Sequence, residues 1–161
     1  MANIQRITPC LWFDDQAEPA ANFYVSVFPN SRVTAVSRYG EAGFEVHHRP
    51  AGSVLTVTFE LEKQGFMALN GGPVFKFTEA ISLMVSCDSQ QEIDRYWERL
   101  GDGGDPKAQQ CGWLKDRYGL SWQIVPSIMS TLMTGPAANR VMAALLKMKK
   151  LDIAALQVAA N

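Results

Sequence analysis

Within six positions, from Cys111 to Asp116, this chain places a thiol, an indole, an ammonium and a carboxylate: Cys111, Trp113, Lys115 and Asp116. A lysine near a cysteine favours the thiolate, which is the reactive form, and a neighbouring carboxylate accepts a proton. Cys111, Lys115 and Asp116 are therefore the candidate catalytic residues. The plainer reading is a small apolar Cys111 within a strand, with Lys115 and Asp116 solvated at a hairpin turn.

A second set holds no acid or base but lines up by alternation. Thr56, Thr58, Asn70, Ser82, Met84, Ser121 and Gln123 occupy alternate positions of strand-like segments, as do Pro9, Leu11 and Ala68. Successive strand side chains point to opposite faces. These residues would then share an open face, while Leu55, Val57, Phe59, Leu83, Val85, Trp122 and Ile124 bury on the other. Small hydroxyls, amides and apolar groups suit a neutral small molecule with a few hydrogen-bonding groups, so this set is the candidate ligand-binding surface. The competing expectation is an open sheet whose polar face meets water. His47 and His48 are the only histidines. Being adjacent, they would diverge in a strand, and they sit between Glu45 and Arg49 in a loop-like stretch, so they read as ordinary exposed residues.

The elements that position these residues occur twice. The first copy is an apolar run, Ile7 to Phe13, then Asp15 and a helix-like stretch with Phe23, Tyr24 and Val27. The second is Ile81 to Val85, then Asp88-Ser89 and a stretch with Ile93, Tyr96, Trp97 and Leu100. Asp15 with Glu18, and Ser89 with Glu92, have the three-residue spacing of a capping box, so each predicts a helix start. After the first helix, strands are expected over 31 to 39, Ser53 to Leu61 and Phe66 to Leu69, with a hairpin tip or loop from Gly40 to Gly52. After the second, strands are expected near Asp105 to Gln109, over Gln110 to Lys115, and over Leu120 to Val125, the last two joined across Asp116 to Gly119. The fold class is α+β: two tandem βαβββ modules whose curved, antiparallel-rich sheets enclose a cleft, with helices on one face, plus C-terminal helices. The expected domains are 1–130, with module one about 4–73 and module two about 80–126, and a helical tail over 131–161.

Composition narrows the function. A chain of 161 residues that is 47% hydrophobic can bury one real core. A net charge of −1 gives no basic surface for nucleic acid or an anionic membrane. Nothing near Met1 reads as a signal peptide, and no segment is long and apolar enough to span a membrane. Cys10, Cys87 and Cys111 are odd in number and lack metal-finger spacing, so they read as reduced thiols of a cytoplasmic protein. In the tail, Pro136 can open a helix in which Val141, Leu145 and Met148 recur at helical spacing, and Asp152 to Ala160 offers a second. These helices either cap their own domain or clasp a second copy.

The order strand, helix, three strands, repeated, together with Ile7-Thr8-Pro9, Asn22-Phe23-Tyr24 and Asp116 to Ile124, resembles the vicinal oxygen chelate superfamily, the glyoxalase and bleomycin-resistance fold. Phe28-Pro29-Asn30-Ser31, Leu69 to Pro73, Phe75-Lys76-Phe77, Cys111 to Asp116 and the tail from Met142 to Ala155 resemble its PhnB-like branch, whose members are labelled 3-demethylubiquinone-9 3-methyltransferase. The resemblance implies homodimers. It also implies a divalent ion held by one His or Glu from each of four strands. Carried over by strand and spacing, those positions fall on Pro9 (or Thr8), Phe66 or Ala68, Ser82 and Gln123. None is His or a carboxylate, so no metal is expected there. Nor is a cofactor expected: the glycines at 71–72 and 101–104 sit at a turn and a helix end, not in a strand-to-helix phosphate or methyl-donor turn. The expectation is a PhnB-like protein that binds a small organic molecule without the superfamily metal site. The alternative is a metal-independent enzyme of the same fold.

Overall fold

Leu55, Val57, Phe59 and Leu61 alternate with polar partners, and this pattern forms the longest strand of the first sheet, Val54–Leu61. The structure is a computed structural model describing residues 5–161. The expected starts of the first domain and first module, at residues 1 and 4, lie outside the described residues. Two units divide the chain, one ending at Lys76 and one spanning Phe77–Asn161. Each has its own open sheet with helices against it, so the α+β class holds.

In the first unit the elements are β1 (Cys10–Phe13), α1 (Ala17–Val27), β2 (Arg32–Arg38), the short α2 (Phe44–His47), β3 (Val54–Leu61) and β4 (Gln64–Asn70). The sheet order is β1-β4-β3-β2, with β1 parallel to β4 and the other pairs antiparallel. α1 lays Ala20, Ala21, Tyr24 and Val27 against this sheet. Tyr24 stacks on Phe59 at 6.2 Å and Phe59 on Phe66 at 5.5 Å. Each large side chain buried this way contributes about 1.5–3 kcal/mol.

The face assignment corrects part of the sequence reading. β3 and β4 are joined by the two-residue turn Glu62-Lys63, both at positive φ (47° and 67°), which is the turn geometry that matches strand twist. A two-residue turn pairs each odd-numbered residue of β3 with an even-numbered one of β4, as in Val57 with Ala68. Ala68 and Asn70 therefore lie on the helix face beside Val57, not on the open face with Thr56 and Thr58. Leu11, paired with Ala68, goes with them. Cys10, Trp12, Met67 and Leu69 take the open face instead.

Asn70 explains why α1 starts where it does. The expected capping box of Asp15 and Glu18 does not form, and the cap position, Gln16, makes no side-chain bond. Instead the Ala17 N–H donates to Asn70 Oδ1 at 2.8 Å, while Asn70 Nδ2 donates to the Val54 carbonyl at 3.1 Å. The helix is capped from another strand.

The second unit runs β5 (Leu83–Cys87), α3 (Gln90–Gly101), a 3₁₀ turn (Pro106–Ala108), β6 (Trp113–Lys115), β7 (Ser121–Pro126), α4 (Met129–Thr134), α5 (Ala138–Leu145) and α6 (Ile153–Ala160). Its sheet order is β5-β7-β6, with β5 parallel to β7 and β6 antiparallel to it. The Ser89 and Glu92 box forms: the Glu92 N–H donates to Ser89 Oγ at 3.2 Å, and the Asp88 N–H donates to Glu92 Oε2 at 2.7 Å. The strand expected near Asp105 to Gln109 is replaced by the 3₁₀ turn, because Pro106 has no ladder donor and Asp105 Oδ1 accepts the Lys107 N–H at 2.9 Å. The second module thus has one strand fewer than the first. The strand expected from Gln110 begins only at Trp113, since Cys111 (φ 55°) and Gly112 (φ 84°) turn the chain left-handed.

The tail packs on its own unit. Ala137, Val141, Leu151 and Leu156 form a buried cluster that Val125, Met129, Leu145 and Met148 join. Gln90 fastens it to the start of α3, donating to the Leu151 carbonyl at 3.0 Å and accepting from the Ile153 N–H at 2.9 Å.

Candidate functional site

In the second unit the register decides which side chains meet. Met84 pairs with Gln123, Gln123 with Trp113, and Ser121 with Lys115, so all five share the face away from α3. Ser82 joins them, its Oγ accepting from Gln123 Nε2 at 2.9 Å. Thr56 and Thr58 hold the corresponding face of the first unit, where Thr56 Oγ1 and Ser37 Oγ stand 2.5 Å apart. Asn70 is 6% exposed with its amide oxygen and nitrogen both engaged by backbone groups, so its role here is architectural.

A pocket of about 410 Å³ opens on the second unit, lined by Glu79, Ala108, Gln110, Cys111, Trp113, Leu114, Lys115 and Ser121. It gathers Cys111, Lys115 and Ser121 from the sequence candidates and adds Glu79, which sequence reasoning missed. Glu79 lies in the irregular segment between β4 and β5, where no periodicity marks a residue as inward-facing. Lys115 Nζ and Glu79 Oε1 are 2.6 Å apart, with the lysine side chain 25% exposed and the glutamate 64%. The hydrogen bond from Lys115, a backbone hydrogen bond and the charge of Lys115 together hold the Glu79 carboxyl below its ordinary range.

Ser121 is the anomaly. It is 1% exposed, and its Oγ is buried without a hydrogen-bond partner. A buried unsatisfied hydroxyl costs about 1–3 kcal/mol. Ser121→Ala should therefore stabilise the protein by about 1 kcal/mol, seen as a rise of about 2–4 °C in Tm. Retaining a group that costs stability is what binding sites do.

Asp116 differs from both sequence readings. It is 2% exposed. Its Oδ1 accepts the N–H groups of Tyr118 (2.8 Å) and Leu120 (3.1 Å), and its Oδ2 accepts Trp122 Nε1 (2.8 Å). The carboxylate is thus neither solvated at the turn nor placed as a proton acceptor in the pocket. It ties the β6–β7 turn to Trp122. The sequence signal was present: an aspartate three residues before Gly119 is the signature of a side chain that closes its own turn.

The loop that brings Cys111 to the pocket is held by the tail. The Cys111 and Gly112 N–H groups donate to the Met148 and Lys149 carbonyls, both at 2.8 Å. Gln110 Nε2 lies 3.4 Å from Cys111 Sγ. Cys87, by contrast, is fully buried, and burial above all pushes its thiol from 9.0 up to about 12. Its protonated form is stable in the fold up to that range, so the stability it contributes is present below pH 9.0 and lost as pH rises toward 12. With iodoacetamide near neutral pH, Cys87 should stay unlabelled until the protein unfolds, while exposed Cys10 and half-buried Cys111 label in the native state. Native-state labelling of Cys87, read by mass spectrometry, would contradict this burial.

A family model described as 3-demethylubiquinone-9 3-methyltransferase matches residues 5–125. The chain belongs to this family. With it comes membership of the vicinal oxygen chelate superfamily and its glyoxalase fold. The family match ends at residue 125, before the tail stretch from Met142 to Ala155 that contributed to the sequence resemblance. A PhnB protein of Bacillus cereus bearing the same methyltransferase description is 38% identical, the alignment covering 76% of this chain and 99% of that one with a TM-score of 0.64. A Pseudomonas aeruginosa protein is 20% identical over 76% of this chain and 98% of its own, with a TM-score of 0.58, and shares the fold. A Staphylococcus aureus protein is 29% identical over 76% and 96%, with a TM-score of 0.34. No curated protein matches the chain.

Family membership raises the questions of a metal and of a methyl donor. At the carried-over metal positions, Phe66 and Ala68 are buried on the helix face and Ser82 is hydrogen-bonded to Gln123. Proline, phenylalanine, alanine, serine and glutamine do not make a donor set for Zn, Ni or Mn. Among the described residues, no three His, Cys, Asp or Glu side chains gather to hold a metal ion. The strand-to-helix junctions read Asp14-Asp15-Gln16 and Asp88-Ser89, without the glycines that let a backbone approach a nucleotide-like cofactor. His47 is engaged locally, its Nδ1 accepting the Arg49 N–H at 2.9 Å and its ring 4.5 Å from Tyr39. No described helix is long and apolar enough to cross a membrane.

Proposed function

We propose that this protein binds a small organic molecule in the Trp113–Lys115–Ser121 pocket, without the superfamily's metal. The observation that carries this reading is the unpartnered Ser121 Oγ in a pocket of about 410 Å³. Ligand pockets combine apolar walls with a few convergent polar groups, and Ala108 and Trp113 with Ser121, Lys115 and Gln110 have that make-up. A thermal-shift screen against a broad metabolite panel, run with and without divalent metals, tests it. A ligand at a hundredfold excess over Kd should add about 2.7 kcal/mol whether or not metal is present. Stabilisation that appears only with a divalent metal would overturn the metal-free part, and a panel with no stabilising member would overturn binding.

A second reading is a metal-independent enzyme, favoured by Cys111 and Lys115 lining the same pocket. It requires that Cys111→Ser abolish turnover while ligand binding survives. Under either reading the protein is a cytoplasmic homodimer, a view supported by its free thiols and by exposed Met142, Leu146 and Val158 on or next to the tail helices. Leu146→Glu with Val158→Glu should then shift the mass in solution from dimer to monomer. An unchanged mass would remove the tail from the interface. In this view the domain organisation is a glyoxalase-like body to about residue 130 followed by the tail.

A further inference from the structure

Resting on the reading of this pocket as a binding site, we propose that its ligand is a small organic carboxylate, whose charged end displaces Glu79 from Lys115 and accepts the Ser121 hydroxyl. Lys115 and Ser121 are direct cross-strand partners, so an ammonium and a hydroxyl stand side by side on one face. A carboxylate has two oxygens and only accepts, which matches two adjacent donors. Trp113 and Ala108 supply the apolar wall for the rest of the molecule.

The Lys115–Glu79 pair shows which partner would leave. Lys115 is fixed on β6 and three-quarters buried at its side chain, whereas Glu79 comes from an irregular segment and is 64% exposed. Glu79 therefore occupies the position that a ligand anion would take, and its own exposure to water makes it the replaceable half of the pair. A ligand amine would instead need to remove the better-anchored Lys115. A dianion is disfavoured because the pocket lining contains a single cationic side chain among its described residues. Ser121 is enclosed and Glu79 is more than half exposed, so departure of Glu79 from Lys115 is the movement that ligand entry requires.

The test uses the full chain and matched probes: phenylacetate, phenylacetamide and phenethylamine, and hexanoate, hexanamide and hexylamine. Dissociation constants are read by calorimetry on the wild type and on Glu79→Gln, Lys115→Met and Ser121→Ala, each checked for an unchanged or raised Tm. The carboxylates should bind at least tenfold more tightly than their amides, and the amines most weakly. Glu79→Gln should tighten carboxylate binding several-fold by removing the internal competitor. Lys115→Met should weaken it at least tenfold, and Ser121→Ala about fivefold. Amides or amines binding as well as the carboxylates, or Glu79→Gln weakening them, would overturn the carboxylate assignment and leave the pocket reading standing. No binding of any probe to the wild type or to Glu79→Gln would overturn the assignment and count against the pocket as well.

Discussion

Asp116→Ala should cost about 3–5 kcal/mol of stability, measured as a lower urea midpoint at unchanged m-value. Three hydrogen bonds converge on this carboxylate, from the Tyr118 and Leu120 N–H groups and from Trp122 Nε1. Each bond to a charged acceptor contributes about 1.5–3 kcal/mol, and donors left buried without an acceptor add their desolvation cost. These contributions share one group and do not add fully, which sets the upper bound. Asp116→Asn keeps the shape but turns an amide N–H₂ toward a donor, so it should fall between the two. Since small proteins are stable by only about 5–15 kcal/mol, the alanine variant should lose a large part of its margin. A loss under about 1 kcal/mol would show that the turn is held by something else.

The second large effect is expected at Gly104. A Cβ there would lie 1.9 Å from the Lys115 carbonyl oxygen and 3.0 Å from its carbonyl carbon. The obstacle is backbone, not a side chain that can swing away, so Gly104→Ala must displace β6 or the end of the α3 loop. Overpacking of this kind costs about 1–3 kcal/mol and more where backbone is the obstacle. The displaced strand carries Lys115, so the same variant should weaken binding of any ligand held in the pocket by tenfold or more. Gly101→Ala is the control: the nearest obstacle to its Cβ is the Gln109 side-chain nitrogen at 3.5 Å, ordinary contact. Equal stability and binding in the two variants would contradict the packing.

What was legible in the sequence follows from what is local. The alternation of Val54 to Leu61, the Ser89 and Glu92 box and the faces of Ser82, Met84, Ser121 and Gln123 all depend on residues near one another in the chain, and each was readable. The face of β4 was not, because it depends on the number of residues in the turn before it, and the strand was read from Phe66, leaving Gln64 and Gly65 unassigned beside that turn. The cap of α1 was hidden for a different reason: its acceptor, Asn70, lies 53 residues away. The missing strand of the second module reflects Pro106 and the left-handed pair Cys111-Gly112, whose backbone bonds go to the tail. Glu79 was invisible because an irregular segment carries no period to read.

The tail changes the meaning of the candidate site. A loop that lines the pocket donates two backbone hydrogen bonds to the carbonyls of Met148 and Lys149, beyond the residues that the family model matches. The pocket is thus built from family residues and fastened by residues outside the family match.

The most direct measurement is a crystal structure of the protein with the tightest ligand of the thermal-shift panel, grown without added metal. Ligand density should lie in the pocket, with a polar atom within hydrogen-bond distance of Ser121 Oγ. Density confined to other surfaces, or a cation held between Ser82 and Gln123, would contradict it.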